Sequence, residues 1–151
     1  MKHPVRSLLS AVAVGAALVA TPAYSVEVKD QIKHREAIME AIGGHLSAVF
    51  STLGGPAEMQ KNFAFHADSL AQLADIAVDV FPEGSGEGKT DALKKIWEQP
   101  EEFKQAMDTF LERVAAFKET VDAGEDIPAI AAAAKKLGGA CKGCHDDFKK
   151  D

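Results

Sequence analysis

The fold is decided near the C-terminus, by residues 127–149, which read IPAIAAAAKKLGGACKGCHDDFK. Apolar and small side chains recur there in steps of three and four, which is the spacing of one face of an α-helix. The residues on that face are Ile130, Ala134, Leu137, Cys141, Cys144 and Phe148. This period predicts an amphipathic helix that begins near Asp126 and buries one stripe against other helices.

Three earlier segments show the same period, over residues of about 28–53, 57–80 and 101–121. Each segment ends at glycine- or proline-containing sequence, and Pro100 with two following glutamates is typical of a helix start. The glycine-rich stretch 84–88 predicts a flexible loop between the second and third helices. No segment alternates as a strand would. The sequence therefore predicts an all-α chain, folded as an antiparallel four-helix bundle with room for a cofactor in its core.

Composition and charge restrict the function. The chain has 151 residues, of which 46% are hydrophobic, enough for a buried core. Its 17 basic and 23 acidic side chains give a net charge of −6, which argues against a nucleic-acid partner. No acid–base pair or activated nucleophile stands out, so we do not expect an enzyme.

The N-terminus has the layout of a cleavable signal peptide. Positive residues precede the uncharged run 8–20, and Ala23-Tyr24-Ser25 offers a small-residue cleavage site. That run is too short to span a bilayer, which takes about 20 residues. We therefore expect residues 1–25 to be a signal peptide and residues 26–151 to be one mature domain, located in the periplasm and not inserted in a membrane.

The chemistry is carried by Cys141-Lys142-Gly143-Cys144-His145, a C-x-x-C-H motif. This motif is the attachment signature of c-type haem. On a helix the two cysteines lie on one face, one turn apart, so their sulfurs can join two vinyl groups on one edge of a porphyrin. His145 follows them with an imidazole nitrogen for the iron. The motif predicts one covalent haem c, held by Cys141 and Cys144 and ligated by His145.

The cysteine pair has two other possible uses, and a haem-free structural bundle is a third alternative. A thiol–disulfide redox pair is expected at a strand-to-helix junction, and no strand is predicted. A zinc site needs a second pair of ligands at a suitable spacing, which the sequence lacks. Haem attachment also agrees with export from the cytoplasm.

These residues resemble a known family, the cytochromes c′, or class II c-type cytochromes. The resemblance rests first on Gly138 to Phe148, which looks like the haem-binding end of the family. It is supported by Phe81-Pro82-Glu83-Gly84 with the following Lys89-Thr90 and Ile96-Trp97, and by His34-Arg35-Glu36-Ala37-Ile38-Met39 in the first helix. The family fold is a four-helix bundle, as predicted from the periodicity.

The resemblance implies roles for four further residues. Met39, four places after Arg35, corresponds to the residue that faces the sixth coordination position of the iron. Arg35 and Glu36 are implied to contact a haem propionate or the pocket, and Thr90 to reach the haem from the loop. A Met in this position can instead be a core residue that fills space. His45, His66, Met59 and Met107 are interpreted as ordinary core or hydrogen-bonded residues.

The state of the sixth position separates two functions. A bound Met39 thioether gives a six-coordinate iron suited to one-electron transfer with periplasmic redox partner proteins. An open position gives a five-coordinate iron that binds nitric oxide or carbon monoxide. Lysines on the last helix can steer an acidic partner or simply complement the helix C-terminus. The resemblance also implies a homodimer through the first two helices.

Overall fold

The computed structural model describes residues 26–150, all of them helix, turn or loop apart from one isolated β-bridge. The predicted signal peptide, residues 1–25, lies outside the described residues. The helices are α1 (Val28–Thr52), α2 (Ala57–Gln60), α3 (Phe63–Ala77), α4 (Lys95–Glu98), α5 (Pro100–Asp122) and α6 (Ile127–Phe148). Among the described residues, no helix is both long and apolar enough to cross a membrane.

The four long helices α1, α3, α5 and α6 pack as a bundle, which confirms the predicted fold class. Each helix contacts its neighbour in the chain, and α6 closes the ring by contacting α1. The α1–α6 contact is much the smallest of the four, so these two helices leave space between them. The centre of the core is formed by fully buried side chains of all four helices, namely Val49, Leu70, Phe117 and Leu137.

The sequence fixes several helix ends through local chemistry. The side chain of Asp126 accepts a hydrogen bond from the backbone N–H of Ala129 at 2.9 Å and so caps the N-terminus of α6. Pro100 occupies the first turn of α5, where its missing N–H costs nothing, and two glutamates follow it. These ends lie within two residues of their predicted positions.

The sequence predicted one continuous helix over residues 57–80, and this prediction is wrong. The segment forms two helices, α2 and α3. The chain turns at residues 61–62, and Asn62 adopts φ −88° and ψ −2° before α3 begins. The four-residue α2 buries none of its residues. Met59, which was expected to be a core residue, is 45% exposed, so that expectation is wrong. Helical periodicity cannot detect such a break, because the apolar spacing continues across it.

The segment between α3 and α5 is packed against the rest of the protein, which corrects the prediction of a flexible loop at the glycine-rich stretch 84–88. Ser85 is fully buried there, and α4, a short helix that the sequence did not predict, buries Ile96. A Cβ on Gly86 would lie 2.5 Å from the ring of Trp97, so only glycine allows this close approach. Gly88 has φ +99°, a left-handed conformation that also favours glycine. The glycines therefore permit tight packing in this segment.

Backbone hydrogen bonds tie the end of this segment to the end of α6. The N–H of Leu93 donates to the carbonyl of Phe148 at 2.9 Å, and the N–H of Lys150 donates to the carbonyl of Asp91 at 2.8 Å. The Nζ of Lys150 also donates to the carbonyl of Thr90 at 2.7 Å. These contacts hold residues 90–92 beside the helix that carries the cysteines.

Candidate functional site

A cavity of about 460 Å³ opens where α1 and α6 stand apart. Its size lies within the range of roughly 300–1,000 Å³ that is usual for small-molecule and cofactor sites. All seven predicted site residues line it, namely Arg35, Glu36, Met39, Thr90, Cys141, Cys144 and His145. The bundle thus brings together side chains that are up to 110 positions apart in the sequence (145 − 35).

The cysteines and the histidine reach the cavity from the C-terminal half of α6. Cys141 and Cys144 are half-buried and unpaired with each other, so both sulfurs are free. His145 lies beside them at the exposed rim. The motif therefore presents two thiols and one imidazole to the same space, as its helical spacing predicted.

The protonation states of these groups argue against thiol redox chemistry. Burial raises the pKa of Cys144 to about 11, helped by the charges of Cys141 and Asp147, and burial also raises the pKa of Cys141. Redox-active and metal-binding cysteines have lowered pKa values, because the thiolate is the reactive form. Partial burial, together with the nearby Lys149 ammonium, lowers the pKa of His145 and favours the neutral imidazole, which is the form that binds metals.

The opposite wall of the cavity comes from α1, and Met39 lies midway along it. Met39 is half-buried and packs against the core cluster while lining the cavity. Met107 of α5 is 7% exposed and lines the same cavity, so the space is bounded by two thioethers. The sequence alone predicts only a core position for Met107. A single amphipathic stripe cannot show that a core residue also borders a cavity.

Arg35 is buried at one end of the cavity and binds the 80–90 segment. Nη1 donates to the Ser85 hydroxyl at 2.8 Å and to the Val80 carbonyl at 3.3 Å. Nη2 donates to the Ser85 carbonyl at 2.9 Å and to the Thr90 hydroxyl at 2.9 Å. Its guanidinium also lies over the rings of Phe81 and Trp97, 5.1 and 5.8 Å from their centroids.

These four bonds account for all N–H groups of the two terminal nitrogens, which leaves only Nε–H for anything inside the cavity. All four acceptors are neutral oxygens, and in the described part of the chain Arg35 forms no ion pair. Burial lowers the pKa of Arg35, partly opposed by the carboxylate of Glu36. A buried cation without a counter-ion favours an anionic group beside it.

The remaining walls are mainly aromatic and aliphatic. Phe103 and Phe110 of α5 line the cavity together with Ile42, Leu46 and Phe148. The ring of Phe103 contacts those of Phe81 and Phe148 edge to face, with centroids 4.8 and 5.2 Å apart. An apolar cavity with free cysteines, an imidazole and a cation at its margin fits a covalently held haem, whose ring is apolar and whose propionates are anionic.

Ser85 is a site residue that the sequence alone does not indicate. It is fully buried and binds Arg35 through both its hydroxyl and its carbonyl, although it does not itself line the cavity. The tight Gly84-Ser85-Gly86 sequence signalled a turn but gave no sign that a residue of α1 would fill it.

Comparison with known proteins shows the family. The family model described as Cytochrome C' matches residues 30–149. The chain belongs to the cytochrome c′ family. Cytochrome c′ of Halomonas halodenitrificans is 31% identical over 131 residues, which are 83% of this chain and 99% of that protein.

Solved structures of cytochromes c′ share the fold. Cytochrome c′ from Shewanella frigidimarina has a TM-score of 0.74 and 32% identity, covering 83% of this chain and 98% of that one. A ferrous variant from Alcaligenes xylosoxidans with bound nitric oxide has a TM-score of 0.74 and 25% identity, over 84% and 98% of the two chains. This protein is therefore a cytochrome c′-type haem protein and not an enzyme, as predicted.

Proposed function

We propose that this cytochrome c′ carries single electrons in the periplasm, with haem c attached to Cys141 and Cys144 and ligated by His145. The observation that supports this proposal best is that one cavity is lined by both cysteines, His145 and Met39. When bound, haem c supplies an iron that cycles between the ferrous and ferric states by one electron. The protein chain itself attaches the haem, ligates its iron and encloses it in the cavity.

The protein groups divide this work between the two sides of the cavity. The α6 side supplies the two sulfurs and a neutral imidazole from His145. The α1 side supplies the Met39 thioether for the sixth position, as the family resemblance implies. Thioether ligation raises the reduction potential relative to a second imidazole, and the apolar walls exclude water, which disfavours the more highly charged ferric form.

Arg35, Glu36 and Thr90 serve the polar margin. Arg35 offers Nε–H and its buried charge to a propionate, while its terminal nitrogens keep the 80–90 segment in place. Glu36 and Thr90 line the same margin. We propose that Arg35 binds a propionate, that Glu36 contacts the pocket margin, that Thr90 reaches the haem from the loop, and that none of the three contacts the iron.

The ligand assignment is tested by the visible spectrum of the reduced haem-loaded protein, recorded with and without carbon monoxide. Ligation by Met39 predicts a low-spin spectrum that carbon monoxide leaves unchanged. Met39→Ala should then give a high-spin spectrum that shifts on adding the gas.

Two other methionines serve as controls for this test. Met107→Leu removes the second thioether of the cavity, and Met59→Ala removes an exposed thioether outside it. Both variants should keep the parent spectrum. A high-spin parent, or loss of the low-spin spectrum in Met107→Leu alone, contradicts the assignment of Met39.

A second candidate function is binding of nitric oxide or carbon monoxide at a five-coordinate iron. It is favoured by the related structure from Alcaligenes xylosoxidans, which contains bound nitric oxide. In that case Met39 borders the gas site without ligating the iron, and the same spectra give the opposite result.

We further propose that the chain is exported by cleavage after Ser25 and exchanges electrons with periplasmic redox proteins. Removal of Lys2 and Arg6 leaves 15 basic and 23 acidic side chains, a net charge of −8.

Two lysines near the end of α6 have partners within the chain, since Lys142 binds Asp146 at 2.7 Å and Lys150 binds the Thr90 carbonyl. A homodimer through α1 and α3 remains a proposal that rests on the family resemblance.

A further inference from the structure

Two histidines meet on the side of the bundle where α1 packs against α3. The Nδ1 atoms of His45 and His66 lie 3.0 Å apart, within hydrogen-bond distance. Both residues are half-buried. Among the described residues, no third polar side chain forms a hydrogen bond with either imidazole ring. Two ring nitrogens of the same type therefore converge on one point from adjacent helices.

The surroundings leave room above this point. The two imidazoles and two small residues, Ala41 and Gly44, line a shallow depression of about 280 Å³. None of these four residues lines the haem cavity, so the depression is a separate site. The four lining residues include no charged side chain apart from the two titratable imidazoles.

A neighbouring aromatic ring limits the freedom of the imidazoles. Phe65 packs against both, with ring centroids 5.6 Å from His45 and 5.4 Å from His66. The two imidazoles themselves lie edge to face at 5.2 Å. The rings are thus held close together before any ligand arrives, which reduces the entropy that binding would cost.

The separation of the nitrogens fits a metal ion as well as a hydrogen bond. With metal–nitrogen bonds of about 2.0–2.1 Å, nitrogens 3.0 Å apart subtend an angle of roughly 91–97° at the metal. Tetrahedral coordination would need a separation of about 3.3 Å with the same bond lengths. An angle near 90° is typical of the square-planar or tetragonal sites that Cu(II) and Ni(II) prefer, and Cu(II) binds most tightly in the divalent series.

The protonation state of His66 also suits metal binding. Burial and the neighbouring His45 lower the pKa of His66, which favours the neutral ring. In the metal-free pair one Nδ1–H donates to the other Nδ1. Metal binding requires that proton to move through solvent to Nε2 of the same ring, which frees both Nδ1 lone pairs without net proton release.

We propose that His45 and His66 form a bidentate, tetragonal site for a divalent transition-metal ion, with Cu(II) preferred, whose other positions are filled by water in the depression.

The test is titration of the mature, haem-loaded, chelator-treated protein with Cu(II) alone, followed by calorimetry and by electron paramagnetic resonance. The parent should bind one equivalent per chain with hyperfine coupling to two imidazole nitrogens. His45→Ala and His66→Ala should each weaken this equivalent roughly tenfold or more, because chelation is lost. His34→Ala is the matched control, since it removes a lone exposed histidine of the same helix, and it should bind as the parent does.

The haem spectrum and circular dichroism show whether each variant is folded, and His45→Gln and His66→Gln replace any alanine variant that is not. Unchanged Cu(II) affinity in the variants at both positions would overturn the proposal. Coupling to a single nitrogen, or half an equivalent of Cu(II) per chain, would also overturn it. A parallel titration with Zn(II) tests the metal preference, and tighter binding of Zn(II) than of Cu(II) would overturn the proposal as well.

Discussion

Arg35→Ala should destabilise the protein strongly, because this side chain holds the 80–90 segment against α1. The substitution removes four hydrogen bonds from a charged donor and leaves their acceptors on Val80, Ser85 and Thr90 to find water. Bonds to charged groups contribute about 1.5–3 kcal/mol each, but the desolvation of the buried guanidinium offsets much of their sum. Leaving buried neutral acceptors without a donor costs about 1–3 kcal/mol each, and water that enters the vacated space offsets part of this, so we expect a net loss of about 3–5 kcal/mol.

The measurement is denaturant unfolding of the haem-loaded protein, with a thermal scan beside it. For a domain of this size, about 4 °C of Tm accompanies each kcal/mol, so Arg35→Ala should lower Tm by roughly 12–20 °C. Arg35→Lys keeps the charge but cannot serve four acceptors with one ammonium group, so its loss should be intermediate. Lys33→Ala, an exposed cation on the same helix, should change stability by no more than about 0.5 kcal/mol.

Amide hydrogen exchange separates the proposed cause from a general loss of helix stability. In Arg35→Ala the amides of residues 82–92 should exchange faster than those at the centre of α5. A cost below about 1 kcal/mol, or unchanged protection of residues 82–92 at a larger cost, would refute the argument that Arg35 anchors this segment.

Three further outcomes follow from the structure. Gly86→Ala should lower stability by about 1–3 kcal/mol in denaturant unfolding, because its methyl group overlaps Trp97, whereas Gly139→Ala, with open space at its Cβ, should gain about 0.5–1 kcal/mol. Equal effects of the two substitutions would contradict the packing described for this segment. Cys144→Ser should leave at most one thioether bond to the haem. The visible spectrum of the reduced protein should shift, and denaturing mass spectrometry should show a fraction of chains without covalent haem. An unaltered spectrum would speak against attachment at this residue. The pKa of His66 is lowered, so the folded state takes up this proton at a lower pH than the unfolded state does. With a chelator present, the free energy of unfolding should therefore fall as the pH drops below about 6.5, and it should fall less in His66→Gln. Parallel pH curves for the two proteins would count against a buried neutral His66.

Much of the fold follows from local patterns. The apolar stripe of each long helix predicted its buried face, because helix geometry alone decides which residues share a side. Chain reversals at Gly54-Gly55-Pro56 and at Gly124 followed from glycine and proline chemistry. The break at residues 61–62 could not be predicted, since the apolar period runs through it and only the packing of Phe63 against the other helices shows where α3 begins.

By itself the sequence determined the α6 motif, because two sulfurs and an imidazole at positions 141, 144 and 145 share one helix face at a spacing set by the helix itself. It also indicated Met39 and Arg35, through resemblance to a family. Only the tertiary structure decided that α1 and α6 stand apart to form one cavity, that Arg35 is buried against Ser85 fifty positions away, and that His45 meets His66. Contacts of that kind join residues distant in the chain, and they depend on how whole helices pack, which no local pattern records.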